Sequence, residues 1–240
     1  MKICNDTLGI LKSLSTINQS LVLNEQGVLV TANESRTILA RAEISEKFPH
    51  EFGIYDLNNF LNVIDLFKAG QPDYVFDEKF VTISLDKRSV RYTFADVGMI
   101  QKKKLPIDGI KIDDDVARLT FAGLDAGHLN DTLKAASILS APVVSIQGDT
   151  SIDDNIYLTT YDPENSTSNV FKTGVAKLDT SIEQKYDIHI NRDYLSKLMS
   201  LPYDVTVYES GIIHFSHHVD KKVLDYWIVG EESSVFVRDQ

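Results

Sequence analysis

Apolar positions recur at two spacings along this 240-residue chain, one helical and one alternating. Over residues 6–18, Leu8, Ile10, Leu11, Leu14 and Ile17 fall on one face of a 3.6-residue period, which predicts a helix with Asp6 as its N-cap. Residues 20–24, 27–33 and 37–44 read as strands, separated by turns at residues 25–27 and 33–35. A strand at 52–55 runs into a second helix at 57–68, and strands follow near 74–76, 80–85 and 90–94. The order then begins again. Residues 117–122 read as a strand and 125–140 as a helix stopped by Pro142, with strands at 143–147, 156–160, 169–178 and 186–190. Asn191 is expected to cap a fourth helix reaching about Leu201, and strands at 205–208, 212–216 and 223–229 complete the pattern.

The two halves therefore look like a tandem α+β repeat. Residues agree as well as elements. A Leu-Lys pair followed by Ser three residues after the Lys occurs at Leu11-Lys12-Ser15 and at Leu133-Lys134-Ser137, and the segment 52–61 parallels 186–195. Between the halves, Gly98, Pro106, Gly109, the run Lys102–Lys104 and the run Asp113–Asp115 mark a connector. The expected domains are 1–96 and 116–240, joined by 97–115.

Catalytic signatures do not emerge. The chain holds no GxGxxG, no GxxxxGK[ST] phosphate loop and no GxSxG elbow. On a strand, His214 and His218 would share a face and His217 would point the other way, yet two imidazoles make a poor metal site. Asp153-Asp154 and Asp113–Asp115 lack the EF-hand pattern and read as solvated loop acids. The single cysteine, Cys4, excludes an intrachain disulfide and reads as a small core residue on a first strand. No enzyme and no cofactor is expected. No run of about 18 apolar residues occurs, so no membrane span is expected. The N-terminus lacks a signal-peptide pattern, which suggests a reducing cytoplasm.

Net charge is −11, the wrong sign for ordinary phosphate binding. The expected helices are nonetheless balanced, with Lys12, Lys68, Lys134, Arg192 and Lys197 against Asp6, Asp65, Asp125, Asp131 and Asp193. Asp6, Asp125 and Asp193 sit near helix N-termini, where capping and the helix dipole account for them. What remains is a sparse set of cations on polar helix faces, which fits an ordinary solvated face as well as a ligand surface.

The helix 6–18 (DTLGILKSLSTIN), residues 42–45 (AEIS) and residues 54–61 (IYDLNNFL) resemble the N-terminal domain of the DNA polymerase sliding clamps of T-even-type bacteriophages, within the PCNA-like clamp superfamily. Over the second half the likeness rests on residues 128–139 and on element order. The resemblance implies a DNA clamp fold in which each of two similar domains holds two βαβββ units, with helices inside a ring and sheets outside. It implies a homotrimer encircling duplex DNA without sequence specificity, tethering the replicative DNA polymerase. An ATP-driven clamp loader would open it, and such clamps also activate late transcription. An acidic exterior suits that task, because retention comes from topology and a pore needs few phosphate contacts.

By the same resemblance Lys12, Lys68, Lys134 and Lys197 would face the pore, with Arg192 either joining them or serving its own neighbours. Subunits would pair through edge strands, Val90, Tyr92 and Phe94 against Val170, Thr173 and Val175 of the next copy. Partner peptides would dock in an apolar pocket near Met99, Ile100, Ile110, Val235 and Phe236. Lys102–Lys104 is equally a partner-facing patch or a solvated loop. The alternatives are a non-clamp β-rich phage structural protein, a monomeric polymerase accessory of the same fold, and a hydrolase with acids converging on His214 or His218.

Overall fold

The computed structural model describes residues 1–67, 70–100, 116–178, 184–219 and 222–238. The chain divides into two compact units, Met1–Lys111 with His218–Leu224, and Ile112–His217 with Asp225–Gln240. The division at 111/112 falls inside the stretch expected as a connector, of which 101–115 lie outside the described residues. The segment 218–224 groups with the first unit, although the sequence reading assigned it to the second domain.

In the first unit, helix α1 (Asn5–Ser15) begins one residue earlier than its periodicity suggests. Its N-cap is Cys4 rather than Asp6, and the exposed Cys4 Sγ accepts from the Thr7 N–H at 3.5 Å. The cause is Glu46. Its Oε1 accepts from the Cys4 N–H at 2.6 Å, and its Oε2 accepts from the Thr7 hydroxyl and from Ser45 Oγ at 3.0 Å. A carboxylate from a distant segment thus sits at the positive end of the helix dipole, so Cys4 is neither a strand residue nor a core residue. Burial pushes the Glu46 carboxyl up, but the hydrogen bonds from Thr7, Cys4 and Ser45 outweigh it and hold the group below the usual range. Residues 16–18, expected as helix, close in a tighter turn: Thr16 N–H donates to Ser13 O and Ile17 N–H to Leu14 O, each at 3.0 Å.

Strands β1 (Leu21–Leu23), β2 (Val28–Ala32), β3 (Ile38–Glu43) and β4 (Phe52–Ile54) follow, with β1 paired to β4 and β2 to β3, both antiparallel. Helix α2 (Leu57–Asp65) is capped by Asp56, which accepts from the Asn59 N–H at 2.9 Å. It contacts α1, and Ile10, Leu11 and Leu14 of α1 are buried, as are Leu57, Phe60 and Ile64 of α2. Strands β5 (Asp73–Phe76), β6 (Phe80–Leu85) and β7 (Arg88–Thr93) form a three-stranded meander with β7 at its edge. The two-residue link Asp86-Lys87 puts Asp86 at φ 55°, the left-handed geometry that tight hairpins need and Asp tolerates. A short helix, α3 (Val97–Ile100), was not expected.

From residue 117 the chain runs β8 (Ala117–Leu124), α4 (Ala126–Ile138), β9 (Val143–Asp149), β10 (Asn155–Tyr161), β11 (Phe171–Lys177), β12 (Gln184–Asn191), α5 (Arg192–Leu195), β13 (Tyr203–Tyr208), β14 (Ile212–Val219), β15 (Lys222–Val229) and β16 (Val235–Arg238). One sheet has the order β11-β10-β9-β12-β16; β15, β14, β13 and β8 are successive neighbours in another. Asp125 caps α4 by accepting from the Gly127 N–H at 2.7 Å. That helix ends where Ser140 turns to φ 54° and the Ala141 N–H reaches back to Ala136 O at 2.9 Å, just ahead of Pro142.

Helix α5 is a single turn, not the helix to about Leu201 expected from Asn191 as its cap. Ser196 Oγ donates to Asp193 O, while Tyr203 OH donates to Met199 O at 2.8 Å and holds the following backbone in turns. Strand β16, missed in the sequence, adds to the edge of β12. Together these elements make a mixed α+β architecture.

Candidate functional site

Three surfaces gather the residues singled out from the sequence. On the helices, Lys12 of α1 and Lys134 of α4 are exposed opposite buried Leu11 and Leu14, and buried Leu129, Thr132 and Ala136. Lys197 is half-buried in the turn after α5. Lys68 lies outside the described residues. Arg192 departs from the pore set. Its guanidinium donates to Ala141 O at 3.2 Å and Ala136 O at 3.4 Å, and pairs with Asp193 at 3.3 Å, so it closes carbonyls at the end of α4. Asn58, Asn59 and Asn62 are exposed on α2, giving that face neutral amides in place of cations.

The second surface is a pair of sheet edges. Strand β7 is the outer strand of its sheet in the first unit, and β11 is the outer strand of its sheet in the second. Val90 and Tyr92 are half-buried on β7; the Tyr92 hydroxyl donates to Asp56 O at 3.1 Å and its ring lies 5.0 Å from Phe60. Burial, then the Asp56 charge, pushes the Tyr92 phenol up. Phe94 was expected on this edge but lies past the end of β7, stacked on Phe52 at 4.2 Å in a cluster with Phe48, His50 and Phe76. Thr173 and Val175 sit on β11, whereas Val170 precedes it and is 60% exposed. Cations on these edges rest on rings of the neighbouring strand, Arg91 over Phe80 at 4.1 Å and Lys172 over Tyr157 at 3.7 Å.

The third surface is a cleft of about 320 Å³ in the second unit. Its apolar walls come from Ile188 on β12, Val207 on β13, Val229 on β15, and Val235 and Phe236 on β16. Val235 and Phe236 were expected here. Met99 and Ile100 belong instead to α3 in the first unit, with Met99 74% exposed, and Ile110 lies outside the described residues. Ile188, Val207 and Val229 escaped the sequence reading, which saw them only as alternating strand positions. Phe236 stacks on Tyr186, ring centroids 6.0 Å apart, and the Arg118 guanidinium lies 5.3 Å over the Phe236 ring. Tyr186 has room because residue 148 is Gly; a Cβ there would overlap the phenol oxygen.

The rim turn 231–234 is held by His189, itself 5% exposed. The Glu231 N–H donates to His189 O at 2.9 Å, the His189 N–H donates to Ser234 Oγ at 3.0 Å, and His189 Nδ1 meets Ser233 Oγ at 2.7 Å. On its other side His189 Nε2 meets Tyr161 OH at 2.8 Å and Asp187 Oδ1 at 3.1 Å. Burial pushes the Asp187 carboxyl up, but hydrogen bonds from His189, Ser145, Gln147 and Tyr161 dominate and draw it well below the usual range. Burial, reinforced by Asp187, pushes the Tyr161 phenol up to about 12.

His214 and His217, singled out from the sequence, are both engaged. His214 Nε2 meets Asp225 Oδ1 at 2.9 Å and its ring stacks on Trp227 at 4.7 Å, while buried His217 Nδ1 meets Pro202 O at 2.8 Å. Asp225 supplies the neighbouring carboxylate that local sequence spacing hid. Among the described residues no group of three or more His, Cys, Asp or Glu side chains is placed to hold a metal, and no helix is long and apolar enough to cross a membrane.

Comparison with known proteins agrees with this architecture. Residues 5–88 match the model of a family described as DNA polymerase processivity factor. The chain is 24% identical over 216 residues to the sliding clamp of Vibrio phage KVP40, covering 90% of this chain and 94% of that protein. Over 107 residues, 45% of this chain and 47% of the relative, it is 28% identical to the sliding clamp of Escherichia phage RB69. Among solved structures, PCNA from Thermococcus kodakaraensis superposes with a TM-score of 0.67 at 13% identity, over 94% of this chain and 96% of that one. A. fulgidus PCNA, solved with the C-terminal region of FEN-1 bound, gives 0.67 at 12% identity over 95% and 96% of the two chains. At these identities the structural matches establish a shared clamp fold.

Proposed function

We propose, from a chain that is a sliding clamp in sequence and fold and hence a DNA polymerase processivity factor, that three copies close into a ring around duplex DNA and tether a replicative polymerase to it. The observation that carries the ring is the pair of open edges. Strands β7 and β11 each end a sheet, one in each unit, and pairing β7 of one copy with β11 of the next would satisfy both rows of backbone groups. Lys12 and Lys134, at equivalent positions of the two halves, would face the DNA. Arg192 is engaged with α4 and is left out of that set. A ring of this kind needs an opening step, for which an ATP-driven loader is the expected partner, and a role in late transcription would use the same partner surface. The site of action would be the cytoplasm of the host cell.

Ultracentrifugation over a concentration series tests assembly, and retention on circular against linearised DNA tests encirclement. Mass near three chains and loss only from linear DNA are expected. A strict monomer at high concentration, equally retained on both DNAs, would overturn the ring.

A further inference from the structure

A strand and a turn of the second unit bring a carboxylate, an imidazole and a hydroxyl into one chain of contacts. Asp187 and His189 lie two positions apart on β12, so both side chains leave the same face of its sheet. His189 Nε2 stands 3.1 Å from Asp187 Oδ1, while Nδ1 stands 2.7 Å from Ser233 Oγ. The direction of these bonds follows from the carboxylate. Asp187 also accepts from the Ser145 hydroxyl and, through Oδ2, from the Tyr161 hydroxyl at 2.9 Å, and such bonds keep it ionised. An ionised carboxylate only accepts, so Nε2 carries the hydrogen that faces it. Nδ1 of the neutral ring is then an acceptor, and the Ser233 hydroxyl is its donor. His189 is 5% exposed, and its main chain is tied to the same turn, its N–H to Ser234 Oγ and its carbonyl to the Glu231 N–H. Ser233 itself is exposed.

We propose that Ser233 is a nucleophilic hydroxyl that takes a covalent group from an uncharged acyl or phosphonyl electrophile, with His189 as its general base and Asp187 as the residue that positions the base. Ser233 Oγ attacks the electrophilic carbon or phosphorus, and its proton passes to His189 Nδ1 as the bond to the leaving group breaks. An alkoxide leaving group takes that proton back from the imidazolium and departs as the alcohol. While charged, the imidazolium faces the Asp187 carboxylate, which stabilises it. Glu231 and Glu232 precede the hydroxyl on its turn, one half-exposed and one exposed. Their charge disfavours anionic donors and selects the uncharged class. The modification is a single covalent transfer to each chain. Its residues all belong to the second unit, so it is independent of ring closure.

The test treats the full chain with an uncharged fluorophosphonate and follows the adduct at each serine by digestion and mass spectrometry. A P–O bond forms at the serine, the P–F bond breaks and fluoride leaves. Ser151 is the internal control, an exposed hydroxyl that donates to Asp149 Oδ1 at 2.6 Å, a carboxylate in place of an imidazole. Ser233 should gain the adduct about 100-fold faster than Ser151, the lower end of what a positioned base contributes. Ser233→Ala, a surface change, should remove that adduct and leave the others. His189→Gln should slow labelling at Ser233 by about 100-fold with circular dichroism unchanged. Asp187→Asn should slow it by about tenfold, and Asp187→Glu, which restores the charge, should recover part of that loss. Equal rates at Ser233 and Ser151 in the unaltered chain would overturn the proposal, a comparison that needs no variant to fold. Undiminished labelling in a folded His189→Gln chain, or equal rates in the Asn and Glu variants of Asp187, would overturn the relay.

Discussion

Truncating Phe52 to Ala should strip the first unit of a large share of its stability. Phe52 is 3% exposed, stacked on Phe94 at 4.2 Å, with Phe48 at 5.3 Å and Phe76 at 5.4 Å. Truncation of a buried Phe costs about 3–5 kcal/mol, and aromatic pairs contribute about 0.5–1.5 kcal/mol each within such a loss. Four ring neighbours, Phe48, His50, Phe76 and Phe94, limit collapse into the cavity, which argues for the upper half, about 4 kcal/mol. Against a typical domain stability of about 5–15 kcal/mol, that is a large fraction. With a urea slope of about 2 kcal/mol per molar, the midpoint should fall by about 2 M. Phe52→Leu keeps most of the apolar volume and should cost about 1–2 kcal/mol. Far-UV circular dichroism follows both units, while the lone tryptophan, Trp227, lies in the second unit and reports there. A loss below about 1 kcal/mol for the Ala variant, or no difference between Ala and Leu, would refute the account of this cluster.

Glu46→Gln should destabilise the chain most near neutral pH. The folded carboxyl is held below its ordinary value, so its contribution is present above about pH 4.3 and is lost as pH falls through the lowered folded value; the melting-temperature gap to the unaltered chain should close in acid. Ser89→Pro on β7, at a position whose N–H faces away from β6, should shift the mass distribution toward single chains by ultracentrifugation, with circular dichroism retained because the internal ladder bonds of Val90 and Tyr92 are kept. Combined Lys12→Ala and Lys134→Ala should leave assembly intact but flatten the salt dependence of the time spent on nicked circular DNA. Gly148→Ala should push Tyr186 away and displace the stacked Phe236, an overpacking that costs about 1–3 kcal/mol and lowers the melting temperature by several degrees in a thermal melt.

Elements whose information is local were legible. The α1 stripe and its counterpart in α4 follow from spacing alone, and so do the alternating strands of both halves. What escaped depends on distant partners. Nothing near Cys4 announces a cap whose geometry is set by Glu46, 42 residues away. Nothing near Lys197 announces that the Met199 N–H will donate to the Tyr226 hydroxyl at 3.3 Å, 27 residues on, in a segment where α5 has already stopped after one turn. Arg192 looked like a surface cation because Ala136 and Ala141 lie more than 50 positions before it. Strand β16 is four residues long and finds its ladder in β12, where Tyr186 faces Phe236 across a separation of 50 positions. The cleft is legible only in part for the same reason: its walls come from four strands, and each of Ile188, Val207 and Val229 looks like any other strand-interior residue in isolation.

An edge on β7 meeting a different edge on β11 is a head-to-tail contact, and nothing in such a contact limits the number of copies joined. Only the rotation between successive subunits decides whether the series closes after a few members or continues as a helical filament. Small changes in strand twist near Asp86 or in the bulge between Ile156 and Tyr157 would alter that rotation without weakening the contact itself. If the proposed joint is the one used, electron microscopy of such variants should reveal open fibres in place of closed rings.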